Sequence, residues 1–198
     1  VQTAAKFEDF AAILRVTEGS SERAQEALAW VSKFARETPY EVGEVTDAFV
    51  RLRANGLDPT SGLLQSLGDA AAAMNKPITQ AVEAIADAVV GENERLKELG
   101  IRASRAGNQI TYEYQRGAET IRTTVDATNR ATIASTLQAI FNERYRGAMV
   151  ERSKTWNGML SNMSDTWTAF QRQVADAGMF SALKGVLGDI LSYVNRLD

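Results

Sequence analysis

Between Thr38 and Gly100 the chain is punctuated too closely for any helix in it to be long. Pro39 and Pro59 each follow a capping residue, Thr38 and Asp58, and Pro77 opens a further apolar run. Proline lacks the backbone N–H and fits a helix only in its first turn, so each marks a beginning. Gly56 and Gly100 stand where the intervening apolar stripes end, as helix-stopping glycines do. A chain cut in this way builds a domain from short helices packed on one another.

The apolar periodicity agrees. Residues 1–16 read as a helix with Phe7, Phe10, Ile13 and Leu14 on one side. After Gly19, Ser20 and Ser21 offer caps to a second helix carrying Ala24, Ala27, Leu28, Val31, Phe34 and Ala35. Thr38 is expected to cap a third, with Pro39 at its first position and Glu41 completing a capping box. Val42, Val45, Phe49 and Leu52 form its stripe. Asp58-Pro59 opens a helix with Leu63, Leu64, Leu67 and Met74, and Pro77 one with Ile78, Val82, Ile85 and Val89 inward. A short charged helix over 92–99 closes the series.

The period then changes to two. Ile110, Tyr112 and Tyr114 alternate with Thr111, Glu113 and Gln115, and Ile121, Thr123 and Val125 alternate likewise. With Arg116-Gly117-Ala118 as the turn, this is a β-hairpin near 109–125. Helix returns after Ala127. There Met149, Ser153, Trp156, Leu160, Met163, Trp167, Phe170, Val174 and Ala177 are separated alternately by four and three residues, a heptad seam. Gly178 ends it, and a last helix carries Phe180, Leu183, Val186, Leu187, Ile190, Leu191 and Val194.

The fold expected is therefore mostly α: a compact bundle of short amphipathic helices with one inserted β-hairpin and a longer C-terminal helix pair. Residues 1–126 are expected to form the helical part with the hairpin, and 127–198 a long helix and a terminal helix packed on it as one domain. Thirty alanines against three prolines support the helical class. The chain begins at Val1, which suggests a segment of a longer polypeptide.

Composition narrows the chemistry. The chain has no cysteine and no histidine, which removes disulfides, thiol nucleophiles, Cys/His zinc sites and the commonest proton shuttle. No catalytic residue, cofactor or metal site is expected. The net charge of −3 is not that of a nucleic-acid binder, and Glu143 and Glu151 dilute the local group Arg144, Arg146, Arg152 and Lys154. The longest apolar stretch, 81–90, contains Glu83 and Asp87 and falls short of the ~20 residues a membrane span requires. Glu92, Glu94 and Glu98 are carboxylates of the type a glycosidase uses, but on a short charged helix they read as solvated surface. Ser153 and Lys154, being adjacent, point different ways on a helix and make no nucleophile–base pair.

The seam is the sharper feature. Trp156, Leu160, Met163, Trp167 and Phe170 are the residues expected to make its contacts, with Met149 and Val174 toward its ends. Packing within the chain is favoured over self-association, because two tryptophans are large for a two-stranded coil. The hairpin's tyrosines either cover the helical core or leave an edge for a partner strand, with core cover favoured.

Several runs, taken in order, resemble the tail tape measure proteins of long-tailed phages. They are Thr38-Pro39-Tyr40-Glu41, Glu44-Val45-Thr46, Leu57-Asp58-Pro59, Gly68-Asp69-Ala70-Ala71-Ala72-Ala73-Met74 and the stretch 91–101. Gly147-Ala148-Met149-Val150-Glu151-Arg152-Ser153-Lys154-Thr155 and Ser161-Asn162-Met163-Ser164-Asp165-Thr166-Trp167 continue it. The resemblance implies a structural virion protein of the tail lumen, made in the host cytoplasm, whose length sets tail length. It implies tail tube proteins, tail tip proteins and assembly chaperones as partners, with a part in genome delivery. The family's length-setting parts are long helical stretches, which this chain lacks, so the segment is not expected to be the ruler. Asn93 stands where an aromatic is expected. Two alternatives stand beside this: a helical peptidoglycan hydrolase domain of a tail protein, and a segment that contacts membranes through the helix after Gly178.

Overall fold

A computed structural model of the chain describes residues 2–154, with side chains from Glu8 onward. The described residues form two compact units, 2–29 and Trp30–Lys154. In the first, helix α1 (Gln2–Glu18) is followed by the start of α2 (Ser21–Glu37). Ser20 Oγ accepts the Arg23 amide at 3.2 Å, so the expected serine cap is present. The inward row of α1 differs from the expected stripe: Ala11 and Leu14 are buried, whereas Ile13 is 43% exposed. On a helix Ile13 is three-tenths of a turn from Leu14 and lies away from Ala11, which sets the row with Leu14.

The second unit holds the end of α2, then α3 (Val42–Ala54), α4 (Leu63–Ala73) and α5 (Ile78–Val89). Strands β1 (Ile101–Ala106), β2 (Gln109–Arg116) and β3 (Glu119–Asp126) follow, and then α6 (Arg130–Tyr145) and α7 (Ala148–Lys154). The expected stripes of α3 and α5 are buried, and Trp30 stacks on Phe34 at 5.2 Å between centroids. Asp58 and Pro59 begin not the α-helix itself but a 3-10 turn, Pro59–Ser61, capped by Asp58. The α-helix starts at Leu63, after Gly62 in the left-handed region. The charged segment is likewise a 3-10 helix, Glu94–Leu99.

The helix expected from Thr38 begins three residues later. Glu41 is the N-cap, and its backbone N–H donates to Glu44 Oε2 at 3.1 Å. Thr38 is buried and its Oγ1 makes no hydrogen bond among the described residues. Local capping loses here to a tertiary anchor: Tyr40 is drawn inward and its hydroxyl donates to the Gly68 carbonyl at 2.8 Å.

Helix α4 is the centre of this unit, packed by α5, α6 and α7. Leu63, Leu64, Ser66, Leu67, Gly68, Asp69, Ala70 and Ala71 are all buried. A helix enclosed on nearly every side needs a nearly continuous run of apolar and small residues, as α4 has. Each large buried aliphatic side chain contributes ~1.5–3 kcal/mol. Met74, expected on this helix, is its C-cap and lies 37% exposed.

The hairpin is present and carries a third strand before it, giving an antiparallel meander in the order β1-β2-β3. The register pairs Tyr114 with both Ile101 and Ile121, and Tyr112 with both Ala103 and Thr123. Ile110, Tyr112 and Tyr114 face inward and are buried, so the tyrosines do cover the core. Gly117, at φ 61°, makes the two-residue turn between β2 and β3. Asn93 takes a polar role: its Oδ1 accepts the Tyr112 hydroxyl at 3.2 Å and its Nδ2 donates to the Gly91 carbonyl. At the far end Glu143 of α6 accepts from Tyr114 at 2.6 Å and Arg116 at 2.9 Å, tying sheet to helix.

Candidate functional site

The seam's first residue, Met149, is fully buried. Trp156, Leu160, Met163, Trp167, Phe170 and Val174 lie outside the described residues. Met149 is seated against α4 at Gly68, where a Cβ would come within 2.5 Å of Met149 Sδ and 3.4 Å of Tyr40 Cε2. Glycine at this position lets the methionine and the tyrosine close over the helix.

Beside Gly68, Asp69 is 2% exposed. Its Oδ1 accepts the Met149 amide at 2.9 Å and its Oδ2 the Gly147 amide at 3.1 Å. The Gly147 carbonyl accepts the Glu151 amide, so Gly147 occupies the cap position of α7. Glycine has no side-chain oxygen with which to cap, and α4 supplies the carboxylate instead. A buried carboxylate is tolerated when its oxygens accept hydrogen bonds, and here backbone amides donate to both.

Tyr40 closes the other side. Burial holds its phenol far above the ordinary tyrosine range; Arg152 opposes the rise, while Glu44 and Asp69 add to it. The phenol therefore stays protonated and donates to Gly68. Three separated runs, Thr38-Pro39-Tyr40-Glu41, the one starting Gly68-Asp69, and the one starting Gly147-Ala148-Met149, thus converge on one socket. The sequence marked all three without bringing them together. Asp69 as a remote cap carries no local signal, since it is 80 residues from Met149.

The other candidates are dispersed. Arg144 donates to the carbonyls of Leu99 and Gly100, Arg146 is exposed, and Lys154 pairs with Glu151. Glu98 pairs with Lys76 at 2.7 Å, Glu94 pairs with Lys97, and Glu92 is exposed. Ser153 donates to the Val150 carbonyl and forms no pair with Lys154. Among the described residues no group of three or more acidic side chains is placed to hold a metal, and no helix is long and apolar enough to cross a membrane. What the socket offers is packing: a seat for Met149 against α4.

A family model described as tape measure protein matches residues 1–176. The chain is 30% identical to the Mu-like prophage FluMu protein gp42 of Haemophilus influenzae. That match covers 99% of this chain and 32% of the relative, so the chain spans about a third of that protein's length. No solved structure matches the chain.

Proposed function

Because the chain belongs to the tape measure protein family, we propose that it is a folded module of a phage or prophage tail tape measure protein, acting by packing and association. A structural role in a phage tail rests on the family and on the prophage relative. The finer assignment rests on one observation: three of the motifs behind the family likeness meet in a socket made of packing and capping contacts. On this account the module is a compact part of a longer protein and contributes to tail assembly and genome delivery, and its length does not set the tail's. Its partners are tail tube and tail tip proteins, with assembly chaperones before the tube closes, and its place is the tail lumen. The residues 156–174 of the seam supply contacts within the module, with self-association as their second use.

Peptide mass spectrometry on purified intact tails tests this. Peptides spanning 1–198 should be recovered with the tail proteins. Their presence in the lysate but absence from intact tails would overturn the assignment.

A further inference from the structure

Helices α6 and α7 are separated by Arg146 and Gly147 alone. Across that break Phe141, Tyr145 and Met149 are spaced by four, the spacing at which successive side chains are neighbours on a helix, each step turning about 40° round its axis. The side-chain pattern continues where the backbone turns. The turn consists of Arg146 in an extended conformation, φ −49° and ψ 128°, and Gly147 at φ 87°.

The same donors have two possible sets of acceptors. In the bent form the Gly147 and Met149 amides donate to Asp69. In a continuous helix they would donate to the carbonyls four residues earlier, those of Glu143 and Tyr145. Neither arrangement leaves these two amides unpaired. The bent form adds the burial of Met149 against Gly68.

We propose that this elbow is a two-state hinge, bent while Asp69 caps α7 and straight when residues 130–154 join into one helix of ~37 Å. Straightening lifts Met149, the first residue of the seam, out of its seat. It also opens the face of α4 between Tyr40 and Asp69. The proposal concerns the chain itself and does not depend on its assignment to a tail.

Backbone chemical shifts of the full 198-residue chain provide the test. In the wild type, Arg146 should give an extended Cα shift. Gly147→Ala penalises the bent form, because φ 87° is left-handed, and favours the straight one, because alanine is the better helix former. The equilibrium should move on the order of tens-fold toward the straight form. Asp69→Asn weakens the cap without touching the hinge and should move it the same way. A helical Arg146 shift with unbroken sequential amide contacts through 147 in either folded variant supports the hinge, whether the chain is monomeric or exchanges α7 with a second copy. An extended Arg146 in folded forms of both variants, or α7 fraying to coil without joining α6, overturns it. Should Gly147→Ala fail to fold, Asp69→Asn decides alone.

Discussion

Asp69 is buried, and two backbone amides depend on it. Asp69→Ala leaves both donors without their acceptor and should cost about 2–4 kcal/mol in urea denaturation. Asn keeps one acceptor oxygen and should cost less. A melting curve unchanged by alanine would mean that the cap contributes nothing. At Gly68, alanine gains up to ~1 kcal/mol of helix propensity but presses on Met149, at ~1–3 kcal/mol for overpacking. The substitution should therefore destabilise the wild type and be neutral or better beside Met149→Ala. A double-mutant cycle measures that coupling, and strict additivity would deny the contact. Burial pushes the Tyr112 phenol up to about 12, from 10.0 when free. The folded value is the higher one, so this stability is fully present below pH 10 and lost as pH rises toward 12. Melting temperature against pH should fall across that window, and Tyr112→Phe should flatten part of the fall.

At the scale of elements, the single-faced helices were the most legible. The stripes of α2, α3 and α5 are inward as their spacing indicates, because one apolar face per helix fixes its orientation without reference to a partner. Strand β1 escaped notice: Ile101-Arg102-Ala103-Ser104-Arg105-Ala106 carries one large apolar side chain, and its pairing with β2 supplies the rest. Thr38 misled because its cap signal is sound locally and overruled by the burial of Tyr40. The socket was illegible for a related reason, since its parts are joined by contacts spanning up to 80 residues. Glu143 gives the sheet-to-helix tie a pH dependence. The Tyr114 hydrogen bond, with Arg116, holds its carboxyl below the ordinary glutamate value of 4.5. The folded value being the lower, the tie is complete above that value and fades as pH falls through the folded one. Amide protection factors in β2 and β3, taken relative to the intrinsic exchange rate at each pH, should fall on acidification, and Glu143→Gln should remove much of that pH dependence. Protection factors unchanged by acid in the wild type would show that the tie does not hold the sheet.

At the scale of the molecule, the ordered run of caps and turns resembled a family, and the match over residues 1–176 places the chain in it. Order along the chain was informative because the motifs are structural, and three of them meet in one socket. The second unit shows what they build: α4 enclosed by three helices, with the start of the seam held at its side. Tail formation by particles whose full-length tape measure protein carries Asp69→Ala tests this account most directly. It predicts few assembled tails, with those that form keeping wild-type length, since the proposed function makes the module a packed part and not the ruler. Normal numbers of tails from a variant shown to have lost the α7 seat would contradict it.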